Sequence, residues 1–233
     1  MEKREEVRLL GAWYSPYTLR AKIALQLKSQ DYESVEENMF GSKSQNLLES
    51  NPVHKKVPVL IHNSKPVCES MVIVQYIDET WDSSGPSILP SDPYLRAISR
   101  FWSSFVDDVW FAAFRAAAVS KSEDTKAKLT EEAGAALGRL EEAFASVSQG
   151  RRFFGGESIG FIDIALGSFM VLVKAREKLK GEKILDEIKT PSLHKWADDF
   201  LSSEAVRKVA PEIDKVAEFL GELEVKAQSA SRS

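Results

Sequence analysis

The dipeptide Ser15-Pro16 joins a hydroxyl side chain to a residue that favours the start of a helix. It follows the apolar stretch 7–13, so the hydroxyl is expected at the turn between a strand and a helix. Serine before a helix accepts a hydrogen bond from a free backbone amide, and proline at the first helical position has no N–H to leave unpaired. The positive end of a helix also attracts anions. Ser15 is therefore either a plain helix cap or a hydroxyl that holds an anion such as a thiolate.

Pro58 lies inside the apolar stretch 57–61, which is predicted to be a strand. Proline has no N–H for a sheet ladder, so one interpretation is an ordinary proline at a strand edge. The other interpretation is a cis peptide between Val57 and Pro58. In that case the backbone of Val57 is left unpaired and can bind an extended peptide ligand. The sequence leaves both interpretations open.

Glu69 and Ser70 stand where the last predicted strand of the first third turns into a helix. The hydroxyl and amide of Ser70 can hold a carboxylate, and Glu69 can hold an ammonium group. A ligand with an α-amino acid end carries both groups on one carbon. Lys43 and Lys56 can neutralise a second carboxylate. Taken singly, each of these residues equally fits a helix cap or a solvated surface charge.

The first third of the chain has the pattern strand-helix-strand-helix-strand-strand-helix, which predicts a small α/β domain over residues 1–83. Proline, glycine and serine then predict a linker over residues 84–92. Residues 93–233 show only helical periodicity, which predicts an all-helical domain. In that domain helices are expected over residues 94–120, 124–147, 160–178, 192–202 and 205–220. Ligands of open α/β sheets bind at strand carboxyl ends and helix amino ends, where Ser15 and Ser70 are expected.

Composition limits the function classes. The net charge of −4 argues against a nucleic-acid or anionic-membrane partner, and no apolar stretch approaches the length of a membrane span. The single cysteine, Cys68, cannot form an intrachain disulfide, and the charged residues 1–6 show no secretory signal. We therefore expect a cytosolic protein without nucleic-acid or membrane partners and without a bound metal.

Four segments together resemble plant tau-class glutathione S-transferases. They are Trp13-Tyr14-Ser15-Pro16-Tyr17, residues 51–60 (NPVHKKVPVL), residues 69–79 from Glu69-Ser70 onward, and residues 160–164 (GFIDI). The resemblance extends over nearly the whole chain. It implies a thioredoxin-like N-terminal domain, an all-helical C-terminal domain and a cytosolic homodimer.

The resemblance also implies roles for single residues. It makes Ser15 the catalytic serine, whose hydroxyl donates to the sulfur of glutathione. It makes Pro58 the cis-proline of the fold. The implied glutathione-binding set is Ser15, Lys43, Lys56, Val57, Glu69 and Ser70, with the lysines near the glycine end, Val57 on the cysteinyl backbone, and Glu69 and Ser70 on the γ-glutamyl end.

The implied activity is attack of glutathione sulfur on hydrophobic electrophiles, either xenobiotics or stress metabolites, with glutathione peroxidase as a side activity. Glutathione is then a co-substrate, and no tightly bound cofactor is expected. The electrophile pocket is expected to include Trp13, Phe40, Trp110 and Phe114. Thiol–disulfide exchange is disfavoured, because serine cannot form a mixed disulfide and Cys68 stands on another strand. The alternative function is a non-catalytic carrier of hydrophobic small molecules.

Overall fold

The computed structural model describes residues 6–230. The chain divides into two compact units, and the division falls between Ile88 and Leu89, within the expected linker. The first unit also contains Glu204–Glu212, whose short helix packs on the first helix of the chain. The helical periodicity of residues 93–233 predicts this segment in the helical domain instead. The second unit consists of Leu89–Ser203 and the residues from Ile213 onward.

The first unit is a small mixed sheet with helices, as expected from the sequence. Its elements are β1 (Val7–Gly11), α1 (Pro16–Leu27), β2 (Glu33–Glu36), α2 (Gln45–Ser50), β3 (Val59–His62), β4 (Lys65–Cys68) and α3 (Ser70–Thr80). Their order is the predicted one, because strand and helix periods are local properties of the sequence.

The sheet has the strand order β2-β1-β3-β4. Strand β1 runs parallel to β2 and antiparallel to β3, and β3 runs antiparallel to β4. In this register Leu10 lies opposite Val59, which lies opposite Cys68. The end of β1, the start of β3 and the end of β4 therefore meet at one edge of the sheet.

Apolar packing holds the helices to this sheet, and one buried ion pair joins α1 to α3. Leu10, Leu47, Val59 and Ile61 form one buried cluster, and α1 packs against α3. At the end of α1 the ammonium of Lys28 lies 2.8 Å from a carboxylate oxygen of Asp78 on α3, and both side chains are buried. The same oxygen accepts a hydrogen bond from the amide of Ile88.

The second unit is built from helices. They are α4 (Pro93–Phe105), a π-helical segment (Val106–Phe111), α5 (Ala112–Val119), α6 (Glu123–Ser148), α7 (Phe161–Gly167), α8 (Met170–Lys180), α9 (Pro191–Ser202) and α11 (Ile213–Ala230), with α10 (Glu204–Arg207) belonging to the first unit. No helix within residues 6–230 combines the length and apolarity that crossing a membrane requires.

Two predicted helices are interrupted. The stretch predicted as 205–220 is divided into α10 and α11, with Pro211 between them. Proline lacks the N–H that would continue a helix and restricts the residue before it, so the break has a local cause. The stretch 160–178 is divided at Ser168 and Phe169, where α7 ends and α8 begins.

Asp163 organises the start of α7. Its buried carboxylate accepts hydrogen bonds from the backbone amides of Phe154, Gly155 and Gly160 at 2.8–2.9 Å, and from the indole N–H of Trp196 at 2.7 Å. Burial raises the pKa of Asp163 to about 6, and these four hydrogen bonds oppose that rise. All four partners are groups of the fold, so the role of this aspartate is structural.

We expect Asp163→Ala to lower the free energy of unfolding by at least about 3 kcal/mol, because it leaves four donors without an acceptor, three of them buried. Thermal or urea unfolding measures the change. Asp198→Ala is the matched control, since Asp198 is 62% exposed and lies 3.6 Å from Lys174. Its loss should cost less than about 1 kcal/mol. Equal effects of the two substitutions would contradict this account of Asp163.

Candidate active site

The strand register brings the predicted site residues of the first unit to one edge of the sheet. Ser15 follows the end of β1, Val57 precedes β3, and Glu69 follows β4. These are the three strand ends that the pairing of Leu10, Val59 and Cys68 aligns. Residues that are 12 to 54 positions apart in the chain thus share one end of the sheet.

Ser15 is the N-cap of α1, and its half-buried hydroxyl oxygen accepts a hydrogen bond from the amide of Thr18 at 3.3 Å. The turn before it is fixed from both sides. The hydroxyl of Thr18 accepts from the amide of Ala12 at 3.2 Å, and a Cβ at Gly11 would come within 2.3 Å of the Thr18 methyl group. Only glycine allows this close approach of strand and helix.

The hydrogen bond from Thr18 determines what the Ser15 hydroxyl can still do. A serine hydroxyl has one donor and two acceptor positions. One acceptor position is occupied by the Thr18 amide, whereas the O–H of Ser15 donates to no described residue. The hydroxyl is thus available as a donor to an anion at the positive end of α1.

The Val57–Pro58 peptide bond is cis, which is one of the two interpretations that the sequence left open. Val57 lies just before the first paired residue of β3, and its backbone makes no hydrogen bond to any residue in the range 6–230. The preceding loop is held by Asn51, whose side-chain amide donates to the carbonyl of Lys56 and whose side-chain carbonyl accepts from the amide of His54. A fixed, unpaired backbone of this kind can pair with an extended peptide.

Glu69 occupies the N-cap position of α3 with φ = 70°. Residues other than glycine adopt such backbone angles at a cost of about 1–3 kcal/mol, and they do so mainly at functional sites. The Glu69 side chain is 61% exposed, with one carboxylate oxygen 3.7 Å from Nε2 of His54. Its carboxylate is therefore open to a cationic ligand.

Sequence reasoning missed Arg20, which lies on α1. The side chain is fully buried, donates to the hydroxyl of Ser70 at 3.2 Å, and stacks over the ring of Tyr17. It links the helix capped by Ser15 to the helix that Ser70 begins. No local signal separates such an arginine from a solvated one.

The two predicted lysines differ in their surroundings. Lys43 is half-buried, and its ammonium donates to the carbonyl of Lys55 at 2.7 Å. Lys56 is exposed, and its ammonium forms no ion pair with a described residue. Both are joined to the loop 51–57. Lys43 binds the carbonyl of Lys55 in that loop, and the carbonyl of Lys56 accepts a hydrogen bond from the side-chain amide of Asn51. Lys56 is therefore the freer of the two positive charges.

Cys68 has the surroundings of an unreactive thiol. Its sulfur is half-buried and donates to the carbonyl of Ser50 at 3.5 Å. Burial, followed by the charge of Glu69, raises the pKa of the Cys68 thiol. The thiolate is the reactive form, so this position is poorly suited to nucleophilic chemistry. Across residues 6–230, no three His, Cys, Asp or Glu side chains are grouped so that they could hold a metal ion.

The four aromatic residues expected in the electrophile pocket fall into two pairs. In the first unit, Trp13 and Phe40 both contact the ring of Tyr14, with centroid distances of 5.6 and 5.7 Å, and Phe40 is 65% exposed. In the second unit, Trp110 is fully buried and stacks with Phe114 at 5.8 Å. Both members of this second pair line a cavity within the helical unit.

Comparison with known protein families gives a consistent result. Residues 5–79 match the family described as glutathione S-transferase, N-terminal domain. Residues 101–204 match the glutathione S-transferase, C-terminal domain. The first match contains the turn at Ser15 and the Glu69-Ser70 pair.

Similar proteins are known along the full length. Glutathione S-transferase U16 of Arabidopsis thaliana is 69% identical over 99% of both chains, and glutathione S-transferase U15 of the same plant is 66% identical over 98% of both. A solved tau-class structure from mango is 52% identical, with a TM-score of 0.89 over 94% of this chain and 98% of its own. Rice GST1, solved in complex with glutathione, is 35% identical, with a TM-score of 0.85 over 96% of this chain and 98% of its own. The chain described here therefore belongs to the tau class of the glutathione S-transferase family.

Proposed function

We propose that the edge of the sheet beside Ser15 binds glutathione and that Ser15 stabilises its thiolate for attack on hydrophobic electrophiles. Family membership makes the chain a glutathione transferase, which has glutathione as its co-substrate. The observation that carries the assignment of residues is the strand register, which aligns a free hydroxyl, an unpaired backbone and an acid–serine pair at one edge. Glutathione offers a thiol, a peptide backbone and an α-amino acid end to match them.

The γ-glutamyl end is assigned to Glu69 and Ser70. The exposed carboxylate of Glu69 pairs with the ligand's ammonium group, and the Ser70 hydroxyl at the start of α3 donates to its carboxylate. Arg20 contributes indirectly, because its hydrogen bond to Ser70 fixes the position of that hydroxyl. The strained backbone at Glu69 keeps its carboxylate at the N-terminus of α3.

With the γ-glutamyl end assigned to Glu69 and Ser70, the cysteinyl and glycyl parts of glutathione are assigned to Val57 and to the two lysines. The free N–H and C=O of Val57 pair with the cysteinyl backbone of glutathione, as in a strand addition. Pro58 keeps that segment out of the sheet ladder. Lys56 neutralises the glycine carboxylate together with Lys43, which donates to the carbonyl of the neighbouring Lys55.

Glutathione attacks the electrophile as a thiolate. A free cysteine thiol has a pKa near 8.5, so most of it is protonated at neutral pH. Lowering this pKa by about two units needs about 2.7 kcal/mol of preferential stabilisation of the thiolate. A charge-assisted hydrogen bond from Ser15 and the positive end of α1 are together of that size. Attack then forms a bond between sulfur and the electrophilic carbon while the leaving group departs with the electron pair.

The electrophile is assigned to the aromatic residues that the sequence indicates, Trp13 and Phe40 in the first unit and Phe114 in the second, with the buried Trp110 stacked against Phe114. Xenobiotics and stress metabolites are the proposed acceptors, and reduction of peroxides by the same thiolate is a side activity. We assign glutathione binding to residues 1–83 and a contribution to the electrophile pocket to residues 93–233, joined by residues 84–92. The protein is proposed to work as a cytosolic homodimer without a tightly bound cofactor. The comparisons do not favour a purely non-catalytic carrier.

We expect Ser15→Ala to lower kcat/KM for conjugation by about 100-fold, because the thiolate loses its hydrogen-bond donor. The dissociation constant of glutathione should change by less than about threefold, since the other contacts remain. Ultraviolet absorbance of the bound thiolate as a function of pH should show its pKa rising toward that of free glutathione.

Ser122→Ala is the matched control for this experiment. Ser122 caps α6 with the same geometry, accepting from the amide of Thr125 at 3.3 Å, so its replacement removes a cap without touching the proposed site. Its conjugation rate should equal that of the unaltered protein. A Ser15→Ala variant with unchanged turnover would refute the proposed role.

Lys56→Gln tests the glycine end. We expect it to raise KM for glutathione by roughly tenfold while kcat stays constant, because it removes a charge that binds substrate and transition state equally. The unaltered protein should prefer glutathione to its glycyl monoethyl ester, and the variant should lose that preference. Lys65→Gln, which removes an exposed lysine on β4, serves as the control. A preference that survives in Lys56→Gln argues against this contact.

A further inference from the structure

Glu37 is a buried acid that the proposed contacts with glutathione do not use. It is the residue after β2, and it is only 4% exposed. Its backbone amide donates to the carbonyl of Gly11 at 2.8 Å, which holds it beside the end of β1. Among residues 6–230 its carboxylate contacts Ser44 alone. Burying a charge is costly unless hydrogen bonds compensate it, so this contact must offset the burial of Glu37.

The two oxygens of the carboxylate take both donors of Ser44. One oxygen accepts from the Ser44 hydroxyl at 2.6 Å, and the other accepts from the Ser44 amide at 3.4 Å. Distances of about 2.5–2.7 Å are typical when a hydroxyl donates to an ionised carboxylate, and such bonds are roughly twice as strong as neutral ones. Glu37 therefore fixes both the backbone and the side chain of Ser44.

Ser44 caps α2 as Ser15 caps α1, but its proton is used differently. Each hydroxyl oxygen accepts from the amide three residues later, that of Leu47 at 3.0 Å and that of Thr18 at 3.3 Å. The proton of Ser44 is donated to Glu37, whereas the proton of Ser15 is donated to no residue that the structure describes. The start of α2 is thereby fixed to the end of β2.

The residue before this cap is Lys43, one of the two lysines assigned to the glycine carboxylate of glutathione. Its ammonium donates to the carbonyl of Lys55 at 2.7 Å, so it joins the loop before α2 to the loop 51–57. A lysine ammonium has three N–H groups, so this contact leaves two for a ligand. A long side chain loses less conformational freedom on binding when its position is fixed beforehand. The backbone of Lys43 is fixed where Ser44 is fixed.

We propose that Glu37 is a positioning residue for the glycine end of glutathione. It acts through Ser44, which fixes the backbone of Lys43 and so holds that ammonium at the loop 51–57, next to Lys56. This role rests on the proposed function, in which the two lysines bind the glycine carboxylate. It implies that a buried acid, whose own charge repels an anionic ligand, nevertheless strengthens the binding of that ligand.

Glu37→Leu separates the positioning role from the charge. Loss of one negative charge alone should strengthen the binding of an anionic ligand, whereas loss of positioning should weaken it. We expect the KM for glutathione to rise roughly fivefold while kcat stays constant, because Ser15 and its cap are unaltered. The preference for glutathione over its glycyl monoethyl ester should fall by a similar factor. Ultraviolet absorbance against pH should give an unchanged pKa for the bound thiolate.

Two further variants serve as matched comparisons. Glu37→Gln removes the same charge but keeps an oxygen that accepts from Ser44, so its KM should stay within about twofold of that of the unaltered protein. Glu49→Leu makes the same change at an exposed position of α2, where the carboxylate accepts from Gln45 at 2.7 Å. Its KM should not change. Partial unfolding of any variant lowers the concentration of active enzyme and hence the apparent kcat, but not KM.

Glu37→Leu leaves the Ser44 hydroxyl without its acceptor, which lowers the stability of the single variant. The double variant Glu37→Leu with Ser44→Ala leaves neither the carboxylate nor the hydroxyl unpaired, so it keeps the test open where the single variant folds poorly. Its KM for glutathione should still be raised. Since the two residues act through one contact, the double variant should raise KM no further than Glu37→Leu does.

An unchanged KM in both Glu37→Leu and the double variant would overturn the positioning role, and so would equal effects of Glu37→Leu and Glu37→Gln. A fall in kcat with a raised pKa of the bound thiolate would also overturn it, because that result places the effect at Ser15. The unaltered protein and Lys56→Gln test the proposed function separately. If the former shows no preference for glutathione over the ester and the latter no rise in KM, the glycine end is assigned wrongly and the role of Glu37 falls with it. If those two results hold and only the Glu37 variants fail, the assignment of the lysines stands.

Discussion

The antiparallel pairing of β3 with both of its neighbours is the constraint on which the proposed active site depends. Because Leu10, Val59 and Cys68 lie side by side, three chain segments leave the sheet at the same edge. Side-chain direction alternates along a strand, so a shift by one residue would turn the buried side chains of β3 toward the opposite face. The apolar cluster around Leu47 resists such a shift, and core packing thereby fixes the geometry of the site.

The parts of this site that could be predicted are those with local causes. Ser15 before Pro16 specifies a capped helix start through the chemistry of two adjacent residues, and the structure has that cap. Short apolar stretches likewise located β1 and β3. The choice between a cis and a trans bond at Pro58 was beyond such reasoning, because it depends on how the loop 51–57 is held. That loop is held by Asn51, whose contacts with Lys56 and His54 are visible only in the fold.

The remaining features depend on contacts between distant residues. Arg20 and Lys28 have the sequence pattern of solvated charges, yet both are fully buried and paired with groups on or beside α3. The π-helical segment Val106–Phe111 contains one more residue per turn than an α-helix allows, and the apolar spacing of the stretch does not reveal it. Burial of charge and the local change from an α-helix to the wider π-helix are decided by the surrounding packing, which periodicity does not encode. The same packing leaves the cavity beside Trp110.

The contact between Arg20 and Ser70 has a consequence for ligand polarity. Arginine can only donate, so the hydrogen bond runs one way, from guanidinium to hydroxyl oxygen. A partner such as histidine or another serine could reverse the bond and let Ser70 accept from a ligand instead. With arginine as the donor, the proton of Ser70 is not used in this contact and stays available for a ligand. The start of α3 thus presents a hydrogen-bond donor to an acceptor group of the ligand, in addition to the positive end of the helix.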